Sequence, residues 1–156
     1  MDILLDELAS GMPDLAQGLR VVLRILAATL VGALIGYERE RTGKSAGLRT
    51  HMLVSLGSAI FVLATLEAGM RIDDVSRVIQ GVAAGIGFIG AGAILKNADA
   101  RVIEGLTTAA GIWLTAALGV AAGLGRFGLA AISGVMAWLI LAVVARLEMR
   151  HGNDAT

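Results

Sequence analysis

Apolar residues come along this chain in long runs with almost no interleaved charge, and the charged residues collect in the gaps between the runs. Five runs stand out, approximately over 21–37 (VVLRILAATLVGALIGY), 50–66 (THMLVSLGSAIFVLATL), 78–95 (VIQGVAAGIGFIGAGAIL), 105–122 (GLTTAAGIWLTAALGVAA) and 127–145 (FGLAAISGVMAWLILAVVA). None alternates with period two as a half-buried strand would, and each approaches the roughly 17–25 residues that cross a bilayer as a helix. The pattern therefore predicts an all-α integral membrane protein of five transmembrane helices. Between the runs lie "ERERTGKSAGLR", "EAGMRIDDVSR", "KNADARVIE" and the tight "GLGR". The brevity of the last makes the fourth and fifth helices an antiparallel hairpin. Residues 1–19 read as an N-terminal segment suited to the membrane interface, 20–146 as the transmembrane domain and 147–156 as a short tail.

Composition reinforces this picture. Hydrophobic residues make up 56% of the 156 residues and charged residues 17%, and mean hydropathy is +0.78. A soluble globule of this size has too little interior to hide so much apolar surface. Thirteen basic and thirteen acidic residues cancel, so nothing drives binding to a phosphate backbone and nucleic acid is not an expected partner. The absence of cysteine removes disulfides, thiolate chemistry and Cys-based metal sites together. Acidic Asp2, Asp6 and Glu7, with no basic residue before Arg20, do not make a cleavable signal.

Basic residues also suggest an orientation. Loops one and three and the C-terminus hold Arg39, Arg41, Lys44, Arg49, Lys96, Arg101, Arg146 and Arg150, whereas the other side holds Arg20, Arg24, Arg71, Arg77 and Arg126. The excess places the first group in the cytoplasm and the N-terminus outside.

One short stretch invites another interpretation. Gly85-Ile86-Gly87-Phe88-Ile89-Gly90 matches G-x-G-x-x-G, but a dinucleotide turn needs a strand before it and a helix opening at the glycines. Here the motif sits inside an apolar run. Two membrane readings remain. Small residues four apart (Gly81 and Gly85; Ala83, Gly87 and Ala91; Gly111, Thr115, Gly119 and Gly123; Gly32 and Gly36) form seams along which helices approach closely. Alternatively, Gly85, Gly87, Gly90 and Gly92 break the third helix and turn carbonyls toward a cavity.

Polar residues that could carry chemistry are few. Glu38, Arg39, Arg49, Thr50 and His51 lead from loop one into the second helix, and Glu104, Thr107 and Thr108 open the fourth. Together they form a candidate polar mouth on the cytoplasmic side, where Arg49 could pair with Glu38 or Glu104. The bland alternative is a solvated anchoring loop whose charges cancel. Magnesium prefers carboxylate and water oxygens, which makes Glu38, Glu40, Asp73, Asp74 and Glu104 the candidate ligands. No acid falls in the middle of a span, so only mouth sites for a hydrated ion are expected. No catalytic set is visible, and the expectation is that the protein is not an enzyme. Trp113 and Trp138 lie within spans and are expected to fill gaps between helices.

Three blocks, "LVGALIGYERERTGKSAGLRTHMLVSLGSAIF", "GVAAGIGFIGAGAIL" and "VIEGLTTAAGIWLTAALGVAAGLG", resemble the membrane domain of the MgtC/SapB family over roughly residues 20–145. The resemblance implies a bacterial inner-membrane protein of about five helices. Some members of the family are linked to magnesium limitation, virulence and survival inside host cells. Members of the MgtC type add a soluble C-terminal domain, and this sequence resembles the shorter SapB-like form. The expected role is magnesium homeostasis or stress adaptation through interaction with other membrane components. The alternative is a small homo-oligomeric channel or transporter, with magnesium as a transported or sensed ion and no resident cofactor. Expected partners are the lipid bilayer, further copies of the chain and another membrane protein complex.

Overall fold

The computed structural model describes residues 14–97 and 102–144. Helix α1 spans Leu15–Arg41, α2 Leu48–Glu67, α3 Ile72–Gly92, α4 Leu106–Gly123 and α5 Phe127–Leu139. A wider π turn, Ile140–Val144, continues α5. The first four helices are long and apolar enough to cross a membrane, and Phe127–Val143 is a shorter apolar helix. The all-α membrane architecture read from the sequence is therefore present.

Boundaries move in informative ways. At 27 residues and ~1.5 Å per residue, α1 is about 40 Å long, more than the ~30 Å hydrocarbon layer. It begins at Leu15, where the Asp14 carboxylate accepts the Gln17 N–H at 2.6 Å, so residues 15–19 belong to the first helix. Residues 1–13 and the 147–156 tail lie outside the described part. At its other end α1 runs on through Glu38 and Arg39, which the sequence reading assigned to loop one. Between α3 and α4 an antiparallel pair of short strands appears, β1 Leu95–Asn97 and β2 Val102–Glu104, with Leu95 opposite Glu104. The apolar pattern gives no sign of it, because Leu95 closes the third run and Val102–Glu104 falls in the polar loop "KNADARVIE".

Helix α4 touches all four other helices, and 61% of its apolar window is buried within the chain against 17% for α1 and α3. It is the centre of the bundle. Close approach depends on the expected small residues. A Cβ on Gly32 would lie 2.7 Å from the His51 carbonyl oxygen, and one on Gly36 would lie 2.7 Å from Leu48 Cα. From α4, a Cβ on Gly123 would meet the Ala59 carbonyl at 2.9 Å, and one on Gly119 would run into the Ser55 backbone. Thus α2 is clasped by α1 and α4 through backbone-to-backbone contact, which is how helices associate where lipid removes the hydrophobic drive. Ala28, Ala59, Ala122 and Ala130 fill one end of this core, and Ile35, Leu118 and Ala137 the middle.

The third helix corrects both readings of its glycines. It is one continuous α-helix from Ile72 to Gly92, so the Gly85–Gly92 stretch does not break it. Nor is it a seam within the chain: Cβ atoms on Gly81, Gly85, Gly87 or Gly92 would meet nothing within 4 Å, and only Gly90 comes near Ala109, at 3.7 Å. The cause is the face that α3 presents. Ile86 and Val82 pack toward Ile112 and Ala116, which turns Ala83, Gly87 and Ala91 outward. One tryptophan also departs from expectation. Trp113 is 53% exposed and faces the surroundings, whereas Trp138, 37% exposed, is mostly covered.

Candidate functional site

Antiparallel packing gathers the C-terminus of α1, the N-terminus of α2, the β1–β2 hairpin and the N-terminus of α4 at one end of the bundle. A cavity of about 920 Å³ opens there, lined among others by Arg39, Lys44, Ser45, Glu104, Thr107 and Thr108. The sequence reading placed Arg39, Glu104, Thr107 and Thr108 at such a mouth, and the fold brings them together.

The cavity is shaped by how the chain turns. Helix α1 ends where Thr42 donates from its N–H to the Glu38 carbonyl at 3.1 Å and from its hydroxyl to the same oxygen at 2.9 Å. Gly43 then adopts φ 67°, which reverses the chain and lifts Lys44 to the rim. Across the opening, Gly105 has φ 89° and lies so close to the Ala93 carbonyl that a side chain there would collide with it. No side chain caps α4, so the first amide groups of that helix lack intrahelical acceptors.

Arg39 is only 4% exposed. Its guanidinium lies 3.8 Å from the Glu38 carboxylate, itself 3% exposed, and its Nη2 donates to the Thr108 hydroxyl at 3.3 Å. Arg39 Nε and Glu38 Oε2 are buried without a hydrogen-bond partner. Deeper in the bundle His51, fully buried, shares a 2.8 Å hydrogen bond between Nδ1 and the Thr115 hydroxyl, which also donates to the Gly111 carbonyl at 2.8 Å. His51 Nε2 and the Ser55 hydroxyl are buried and unpartnered. Polar side chains from α1, α2 and α4 therefore form an internal column, from Arg39 and Thr108 at the cavity wall to His51, Thr115 and Ser55 within.

Several expected members are elsewhere. Arg49 is exposed and is not the cation that pairs with Glu38; Arg39 is. One helical turn explains the exchange: with α1 extended to Arg41, Arg39 falls on the face toward α4 while Arg49 falls on the outer face of α2. Thr50 is half-buried beside it. Glu40 accepts the Leu48 N–H at 2.7 Å and so tethers the start of α2. Asp73 and Asp74 lie at the opposite end of the bundle, in the first turn of α3, paired with Arg71 at 3.6 Å and Arg77 at 3.2 Å. Exposed pairs of this kind contribute little. Among the described residues no three His, Asp or Glu side chains come together as a metal cage. Gly85, Gly87 and Gly92 do not reach the cavity lining.

Thr115 and Ser55 were absent from the sequence-derived set. Their signal was present as spacing: Thr108 and Thr115 lie seven apart, and His51 and Ser55 four apart, each pair on one helical face of an otherwise apolar span.

Residues 25–150 match the MgtC family model. The chain is similar to Protein SrpB of Synechococcus elongatus, with 46% identity over 80% of this chain and 75% of that protein. It is also similar to the Escherichia coli protein named "Putative magnesium transporter YhiD", with 42% identity over 85% of this chain and 64% of that one. With Protein MgtC of Salmonella typhimurium the identity is 39%, over 83% of this chain and 52% of that protein. The chain thus spans about half to three-quarters of the length of these relatives. No solved structure matches it significantly.

Proposed function

The chain belongs to the MgtC family, and from that premise we propose that it serves magnesium homeostasis or stress adaptation in the bacterial inner membrane by contacting other membrane components. It is not an enzyme in this reading. The observation that carries the proposal is how the cavity ends. Its inner wall is closed by Arg39, 4% exposed, and Thr108, 3% exposed, and beyond them Ile112, Thr115, His51 and Leu118 are almost wholly buried. A fixed cation at the neck and a packed interior oppose passage of a divalent cation through one chain. The likeness to a relative whose name describes magnesium transport supports the magnesium connection and leaves the mode of action to the geometry.

A second reading has its own support. The outward glycines of α3 and the low burial of α1 and α3 suit helix-to-helix contact between copies, with an ion path at their interface. Flux separates the two. The purified chain in liposomes loaded with a magnesium-sensitive dye should admit no more ion than protein-free liposomes, while its expression improves growth of a family-deficient strain in low magnesium. Saturable magnesium entry that depends on the protein would establish the conduit reading instead.

A further inference from the structure

The cavity at the α1–α4 end has a chemistry that magnesium does not explain. Among the described residues, two cations line it, Arg39 and Lys44, against the one carboxylate of Glu104. Thr107, Thr108 and Ser45 add hydroxyls, and the uncapped N-terminus of α4 borders the same space. Helix N-termini favour anions, because unpaired amides and the helix dipole act together. The second observation is independent of the helix end: Arg39 is 4% exposed and its Nε is buried without a partner. Held at the neck by Glu38 and Thr108, this guanidinium is a fixed positive charge bordering the cavity, which attracts the oxygens of a phosphate group. From these features we infer that the cavity is a binding site for a phosphate group.

Charge and shape narrow the ligand. Glu38 lies 3.8 Å from Arg39 and offsets part of its charge, and Glu104 stands exposed in the lining. Such a balanced set disfavours a polyanion such as a nucleoside triphosphate. It suits a phosphodiester, and Glu104 is placed to receive an ammonium group carried on the same ligand. Leu106, Ile140 and Leu141 share the lining, so a molecule with a phosphate at one end and apolar substance at the other matches both halves. About 920 Å³ lies within the ~300–1,000 Å³ typical of small-ligand sites. The shared chemistry is that of a phosphoethanolamine diester, supplied by a membrane lipid headgroup or by its soluble counterpart. This inference rests on the cavity alone and stands whether or not the magnesium reading does.

The test uses the purified full chain in detergent. It is titrated with dihexanoyl phosphatidylethanolamine, with glycerophosphoethanolamine and with phosphate-free dihexanoylglycerol. Saturable binding of the short-chain lipid alone identifies a membrane headgroup as the source, and binding of both phosphates identifies the soluble ester as sufficient. Lys44→Ala, at an exposed residue whose loss should leave the fold intact, is expected to weaken binding about tenfold, the weight of one charge-assisted hydrogen bond. Arg49→Ala, outside the lining, should leave it unchanged. Equal binding of dihexanoylglycerol, no binding of either phosphate, or unaltered affinity in Lys44→Ala would each overturn the proposal.

Discussion

At the scale of single residues, the costliest arrangement is the adjacent pair Glu38 and Arg39. Successive residues on a helix point in different directions, so burying both requires that two neighbours, rather than one, cover the end of α1. The α4 helix covers Arg39 through Thr108, and the reversal through Gly43 folds the chain back over this end. Removing one partner of a buried pair strands the other charge, at about 3–5 kcal/mol. Arg39→Ala should therefore lower thermal stability in detergent sharply, while Arg41→Ala, at an exposed position of the same turn, should change it little. The double substitution Glu38→Gln with Arg39→Leu should recover part of the loss, because no unpaired charge is left behind. Equal melting temperatures for the two single variants would show that the pair contributes nothing.

Among the helices, legibility in the sequence followed what the pattern encodes. The five apolar runs gave the helices, and the small-residue rows Gly32–Gly36 and Gly111–Gly123 gave the seams that hold α2. The same kind of row on α3 misled, because spacing marks a narrow face without saying whether another helix lies against it. Arg39 was legible as a mouth residue, but its burial depended on α1 continuing one turn past the apolar run. Polar residues there do not end a helix; only the glycine at φ 67° does. These two kinds of glycine give opposite expectations. Gly119→Leu should abolish folding or yield, since its side chain would enter the Ser55 backbone. Gly87→Ala should leave the isolated chain as stable or up to about 1 kcal/mol more so, through helix propensity alone. If copies do pack through α3, Gly87→Leu should alter oligomer size on gel filtration without reducing folded yield. Similar damage from Gly87→Ala and Gly119→Leu would place an unrecognised intrachain contact on α3.

For the molecule as a whole, the open question is which side of the membrane the cavity faces. Basic residues that the sequence pattern assigns to the cavity side outnumber those opposite by eight to five. Arg101, Arg146 and Arg150 supply that excess and lie outside the described residues; without them the two ends balance at five each, Arg39, Arg41, Lys44, Arg49 and Lys96 against Arg20, Arg24, Arg71, Arg77 and Arg126. Orientation thus depends on charges just beyond the helices, which is where the basic-loop bias acts. The cavity should therefore face the cytoplasm, with the α2–α3 turn outside. A chain without cysteine makes the check direct. Lys44→Cys and Asp73→Cys each introduce one exposed thiol, at opposite ends of the bundle. In intact cells a membrane-impermeant maleimide should label Asp73→Cys and spare Lys44→Cys until the membrane is opened. The reverse pattern would put the cavity outside, where its phosphate ligand would have to come from the outer leaflet or the periplasm.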